Sequence, residues 1–169
     1  MSTSGSLHAF DALATDWLVR PAGETDSQDA AAAVRALLLE LGATPAPLER
    51  LVVAAQTLIA DPEAGAVFVA EASNDDGVIG VLSASLQEAI HVPGRYAIVQ
   101  DLWVEPAWRG RLVGAGLVDA LLRAMRSRGV FVVEVGLPKA RFRGLEATES
   151  FYLANGFTLV GTRMRWVAS

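Results

Sequence analysis

The chain has no cysteine among its 169 residues. It therefore needs no oxidising compartment, builds no thiolate metal site and has no cysteine nucleophile. Histidine is scarce too. His8 lies in a small-residue N-terminal stretch and His91 beside a turn, neither placed for a serine triad nor spaced with carboxylates as metal ligands. Positive charge is in the minority: 14 Lys and Arg face 19 Asp and Glu, a net charge of −5 at pH 7. No overall basic field draws nucleic acid or anionic membrane. No apolar run approaches the ~20 residues of a membrane span. The opening MSTSGSLHAFDALATD lacks the basic start and apolar core of a signal peptide. The expectation is a cytoplasmic protein with no nucleic-acid partner, no membrane and no metal.

What the chain does have is apolar material. Hydrophobic residues make up 52% and charged residues 20%, enough for a core. The length suits one domain, expected over residues 16–169 behind a loose tail of residues 1–15. Trp17 to Pro21 reads as a first strand. Thr25 and Gln28 have capping-box spacing ahead of an alanine- and leucine-rich helix ending near Leu41, and Gly42 stops it. Pro45 and Pro47 lead into a second helix over Leu48–Ala60. The period then changes to strands over Ala66–Ala72 and Val78–Leu86, separated by the turn signal Asn74–Gly77. A strand over Tyr96–Val104 follows a turn at Val92–Gly94.

A helix from Leu112 to Arg128 comes next. Val113, Leu117, Leu121, Val118, Leu122 and Met125 form its apolar stripe, and Asp119, Arg123 and Arg126 face away. Val130–Leu137 is almost continuously apolar, as in a strand buried on both faces. A short helix over Glu146–Ala154 precedes an extended stretch from Phe157 to Val167, broken near Gly161. This order predicts an α+β fold, with a mostly antiparallel sheet and one strand-helix-strand unit crossing over right-handed to a parallel neighbour.

The segment Asp101 to Gly116 carries the chemistry. A strand ends, Pro106 stops it, a loop of glycine and arginine follows, and a helix begins. The first turn of a helix presents unpaired N–H groups and the positive end of its dipole. A glycine in the loop lets an anion approach that backbone, and Arg109 and Arg111 add planar cationic donors. An ordinary strand-to-helix turn with solvated arginines is the alternative. Walker chemistry is excluded because no Gly-Lys-Ser/Thr is present, and the dinucleotide fingerprint fails because Asp119 stands where its last glycine belongs.

In these residues the chain resembles the GNAT acetyltransferases. Val104-Glu-Pro106 followed by Arg109-Gly-Arg-Leu-Val-Gly114 matches the family's strand end and its Arg/Gln-x-x-Gly-x-Gly/Ala helix opening. Ser150-Phe-Tyr-Leu-Ala-Asn-Gly-Phe157, about 40 residues on, matches the family's Phe-Tyr-x-x-x-Gly-Phe ending. The sequence departs at Leu112, where the family usually has glycine, and at Leu145, where it frequently has an asparagine.

The resemblance implies an acetyl-CoA-dependent N-acetyltransferase (an acyltransferase using acetyl-CoA as cosubstrate). The backbone of Trp103 and Val104 would hold the thioester carbonyl and the pantetheine arm where the strand splays from its parallel neighbour. The N–H groups of Arg109, Gly110, Arg111, Leu112, Val113, Gly114 and Ala115 would hold the pyrophosphate. Tyr152 would protonate the departing thiolate.

Amine attack also needs the amine neutral, and a lysine-type amine titrates near ~10.4. Asp101 is the candidate base, direct or water-relayed, with Glu105 of the same parity behind it; the alternatives are backbone bonding and solvation. Lys139, Arg141 and Arg143, with Arg163 and Arg165, form a basic face suited to an acidic acceptor or the CoA 3′-phosphate, or simply solvated. Trp103, Trp108 and Trp166 line an acceptor groove or pack at the core. The acceptor is a small-molecule or peptide amine, and a homodimer is among the assemblies allowed. The competing functions are an acyl-CoA sensor without turnover and a nucleotide-binding regulatory domain.

Overall fold

The computed structural model describes residues 16–73 and 77–161, the side chain of Pro93 excepted. Among the described residues five strands form one sheet in chain order: β1 (Trp17–Pro21), β2 (Gly65–Ala72), β3 (Val78–Ala89), β4 (Val92–Val104) and β5 (Val133–Val135). The first three pairings are antiparallel and β4–β5 is parallel. Helices α1 (Ser27–Glu40) and α2 (Leu48–Ala60) cover one face. Helix α3 (Val113–Ser127) makes the crossover on the other face, joined there by α4 (Leu145–Ala154). The mixed, mostly antiparallel sheet with one parallel strand-helix-strand unit is the architecture that the hydrophobic periods predict.

The larger core lies under α3. Val113, Leu117, Val118, Leu121 and Met125 are buried against Leu82, Ala84, Ala97 and Val99, while Asp119, Arg123 and Arg126 are exposed. The 3.6-residue stripe read from the sequence is the buried face, with Leu122 half-buried at its margin. On the opposite face the small side chains Ala30 and Ala33 let α1 lie close over Val67, Val69 and Val81. Gly65 is required where β2 meets β3, since a Cβ there would stand 2.2 Å from the Ala84 carbonyl oxygen.

Several expectations are corrected. Helix α1 starts at Ser27, with no Thr25–Gln28 capping box. The capping bonds lie one turn earlier, on a 3-10 turn over Glu24–Asp26: Asp26 Oδ2 accepts from the Gly23 N–H at 2.6 Å, and Ser27 Oγ donates to the Glu24 carbonyl at 2.6 Å. Strand β4 begins at Val92, so the hairpin turn is Ile90-His91. The Pro93-Gly94 pair lies inside β4, where the ladder slips between Glu88 and Ala89 and Gly94 takes φ 92°. The run Val130–Leu137 forms a strand only over Val133–Val135, with Phe131 79% exposed. Val133–Val135 are only half-buried and Val132 is exposed as well, so the run is not buried on both faces. Phe157–Gly161 carries no strand, and residues 162–167 lie outside the described residues, as do the tail and Asn74–Asp76 of the hairpin turn.

Buried Asp26 also anchors β1. Arg20 Nη1 donates to its Oδ2 at 2.7 Å, Nη2 donates to its Oδ1 at 2.9 Å, and Nη2 also reaches Glu71 on β2. The Arg20 bonds hold the Asp26 carboxyl below its usual range, against the opposing effect of burial. A depressed folded value means that the stabilisation is complete above the unfolded carboxylate value of ~3.9 and is lost as pH falls through the folded one. Asp26→Asn is expected to cost about 1–3 kcal/mol at pH 7. In urea melts the gap from wild type should narrow below about pH 4.

Candidate active site

The site begins with a bulge. Ser83 pairs with Asp101, but the next β3 residue, Ala84, pairs with Val99, leaving Gln100 as the extra residue on β4. The slip reverses side-chain parity. Before it, Ala97 and Val99 face the α3 core; after it, Leu102 and Val104 do, and Trp103 turns to the α1–α2 side. Gln100 and Asp101 both contact β3 serines: Gln100 Nε2 donates to Ser85 Oγ at 2.8 Å, and Ser83 Oγ donates to Asp101 Oδ2 at 2.5 Å.

The parallel ladder with β5 stops at the same place. Its register is Ala97–Val133, Ile98–Glu134 and Val99–Val135, and among the described residues β4 continues to Val104 beside β3 alone. The edge of residues 100–104 that β5 would have paired is thereby opened.

Beyond Val104 the chain makes a 3-10 turn over Pro106–Trp108 and enters α3 through Arg109-Gly-Arg-Leu112. Gly110 takes φ 76°. Leu112 takes φ 63° and ψ 7°, the only positive φ of a non-glycine among the described residues, and its side chain is 74% exposed. The loop thus keeps the left-handed turn that glycine adopts freely, and the leucine supplies it under strain. The Gly116 N–H bonds the Leu112 carbonyl at 2.9 Å, so Val113, Gly114 and Ala115 form the first turn, whose N–H groups have no intrahelical acceptor.

The cradle is braced from three directions. Trp17 of β1 donates Nε1–H to the Arg111 carbonyl at 3.1 Å. Its ring lies where a Cβ on Gly116 would come within 2.6 Å. Arg111 stacks its guanidinium 5.0 Å over the Trp108 ring. Arg109 donates Nε–H to the Val104 carbonyl at 2.9 Å and Nη2–H to Glu40 Oε1 and Oε2 at 2.7 and 2.9 Å. Glu40, the last residue of α1, also accepts from Trp103 Nε1 at 3.0 Å. Burial works against the Glu40 charge, yet Arg109 and Trp103 hold its carboxyl below the usual range.

The two sequence motifs meet at this point. A Cβ on Gly114 would lie 3.3 Å from the Phe151 ring and 3.7 Å from Val104 Cγ2. Tyr152, one residue on, is 7% exposed, with Phe151 and Phe157 edge-on at 5.1 and 5.2 Å. Burial pushes its phenol up to about 12. Burial likewise pushes the Asp101 carboxyl above the carboxylate range, with the Ser83 bond opposing it.

Other candidates fall outside this cluster. Glu105 follows β4 and gives its backbone N–H to the Ile79 carbonyl. Trp108 is a core residue, and His91 is an exposed turn residue edge-on to Tyr96. Lys139, Arg141 and Arg143 are exposed on the loop after β5, in no ion pair among the described residues. Leu145 opens α4. His8, Arg163, Arg165 and Trp166 lie outside the described residues. The sequence reading missed Glu40, Ser83 and Trp17 as site residues. Ser83, a polar residue in the apolar alternation of β3, was the one with a visible signal.

The description "Acetyltransferase (GNAT) domain" belongs to the family profile that matches residues 63–159. No curated protein sequence matches. Among solved structures, a predicted acetyltransferase from Clostridium acetobutylicum, solved with acetyl-CoA, is 16% identical. It superposes at TM-score 0.73 over 89% of this chain and 96% of its own. AAC(6′)-Iy bound to the bisubstrate analogue CoA-S-monomethyl-acetylneamine is 16% identical at TM-score 0.74, over 90% and 98%. An aminoglycoside acetyltransferase from an uncultured soil metagenomic sample, in complex with trehalose, is 18% identical at TM-score 0.70, over 91% and 96%. At these identities the structures establish the shared fold.

Leu112→Gly should relieve the left-handed strain, worth about 1–2 kcal/mol, against about 0.5–1 kcal/mol of unfolded-chain entropy. A gain of about 0.5–1 kcal/mol in thermal or urea unfolding is the expected outcome.

Proposed function

Because the chain belongs to the GNAT acetyltransferase family, we propose that it transfers the acetyl group of acetyl-CoA to a primary amine of a small molecule or peptide by direct attack. The observation that carries this reading is the seating of Gly114 against Phe151 and Val104, which joins the first turn of α3, the end of β4 and the Phe-Tyr motif of α4. The likeness to an enzyme solved with acetyl-CoA, to another bound to a CoA–acetylneamine conjugate and to an aminoglycoside acetyltransferase supports a CoA donor and a small-molecule amine acceptor.

Trp103 and Val104, on the stretch of β4 that has lost β5, offer backbone groups to the thioester carbonyl and the pantetheine arm. Donors already aimed at that oxygen stabilise the charge that develops there, and they do so without reorganisation. The N–H groups from Arg109 to Ala115, at the positive end of α3, receive the pyrophosphate. In this cradle Arg109 contributes its backbone, since its side chain is engaged by Glu40 and Val104. Arg111 contributes the outward charge.

Asp101 takes the proton that the amine loses, directly or through water, as the C–N bond forms. Its raised carboxyl is a better base than a solvent-exposed aspartate. Tyr152, protonated throughout the physiological range, donates to the sulfur as the C–S bond breaks. A phenol near 12 facing a thiol of ~8.5 is a reluctant donor on bulk values, but the desolvation that raises the phenol raises the departing thiolate in the same direction.

Thiol release from acetyl-CoA in the presence of an amine panel tests the activity. Tyr152→Phe should lower kcat about 10²-fold or more with CoA affinity unchanged. Retention of full activity removes Tyr152 from the mechanism. The pH profile of kcat/KM should carry an acidic limb above the usual carboxylate range. Asp101→Asn should abolish that limb, and Ser83→Ala, by deleting the bond that opposes the shift, should move it to higher pH.

A further inference from the structure

Glu40 reaches the cofactor strand from the opposite layer of the fold. It closes α1, which packs with α2 over the far face of the sheet, and it is 63 residues from Trp103 and 69 from Arg109 in sequence. Its carboxylate accepts from both of them, and Arg109 passes the constraint on through its Nε–H bond to the Val104 carbonyl. An unbroken path of charge-assisted bonds therefore runs from α1 to the last carbonyl of β4. It ends on the segment that, among the described residues, extends past the β5 ladder and pairs with β3.

We propose that Glu40 is a positioning residue for acyl transfer, fixing the carbonyl end of β4 through Arg109 and Trp103 so that its backbone donors stay aimed at the reacting carbonyl. The inference rests on the acetyltransferase reading above. It also gives α1 a part in the cofactor side of the site.

Rate and stability should separate. The Glu40 and Arg109 side chains are 39% and 47% exposed, and pairs so wet contribute little to global stability. A displacement of about 1 Å in a catalytic group, by contrast, costs about 10²-fold in rate. The first-turn donors of α3 make no bond to Glu40, and Trp17 and Trp108 brace the loop beside them independently, so ground-state binding of acetyl-CoA should change less than kcat.

The test compares Glu40→Ala, Glu40→Gln, Arg109→Ala and the Glu40→Ala/Arg109→Ala double variant by thiol release and by thermal melting. Glu40→Ala is expected to lower kcat about 10- to 100-fold. Its melting temperature should stay within about 3 °C of wild type, and its KM for acetyl-CoA within about threefold. Glu40→Gln, whose amide oxygen still accepts from Trp103 and Arg109, should recover most of the rate. The double variant should be no slower than the slower single variant, because both act on one path. A Glu40→Ala enzyme with wild-type kcat overturns the proposal, as do single losses that multiply in the double variant. A wild type that acetylates no amine overturns the acetyltransferase reading itself, and this role with it.

Discussion

Among the described residues, strand β4 beyond Val99 has β3 on one side and no strand partner on the other. A strand edge inside a folded domain presents N–H and C=O groups that must be satisfied by something. Here the bulge at Gln100 coincides with the end of the β5 ladder. The opened edge, the reversed side-chain parity and the turn into α3 all follow from it within a few residues. Asp101 and Trp103 face α1 and α2, while Val104 faces Phe151 and the α3 core. Side chains of one short strand thus reach both layers of the fold.

The electrostatics of the site are local. The chain carries a net charge of −5, yet the first turn of α3, the proposed anion site, offers mainly backbone dipoles, which net charge does not alter. Of the two arginines in the loop, one is neutralised by Glu40 and the other stacks outward over Trp108. The titratable groups are biased by burial: Tyr152 and Asp101 are both pushed upward, one toward holding its proton and the other toward taking one. Desolvation thus drives both groups the same way, which suits one to give a proton and the other to take one.

What was legible in the sequence was what periodicity and motif spacing encode. The bounds of β1 and α2, the buried stripe of α3 and the two family motifs needed only local pattern, and each is found as read. Three readings failed where local pattern has a rival. Thr25 and Gln28 have capping-box spacing, but Asp26 lies one residue on and has Arg20 to hold it. Pro93-Gly94 has the chemistry of a turn, and the chain uses it as a kink inside β4. The apolar run at Val130–Leu137 implied a strand buried on both faces, but it is a strand only over the half-buried Val133–Val135, with Phe131 and Val132 exposed. Glu40 was illegible for a different reason. A glutamate closing an alanine-rich helix looks solvated, and its partners are more than 60 residues away.

The central claim is that the opened edge of β4 and the first turn of α3 together receive acetyl-CoA. Thermal-shift titration with CoA, acetyl-CoA, ATP and NAD tests it most directly. A ligand at a hundred times its dissociation constant adds about 2.7 kcal/mol, roughly 5–10 °C for a domain of this size. The account predicts that shift for CoA and acetyl-CoA alone. A folded protein that ignores both, or that responds equally to ATP or NAD, would contradict it.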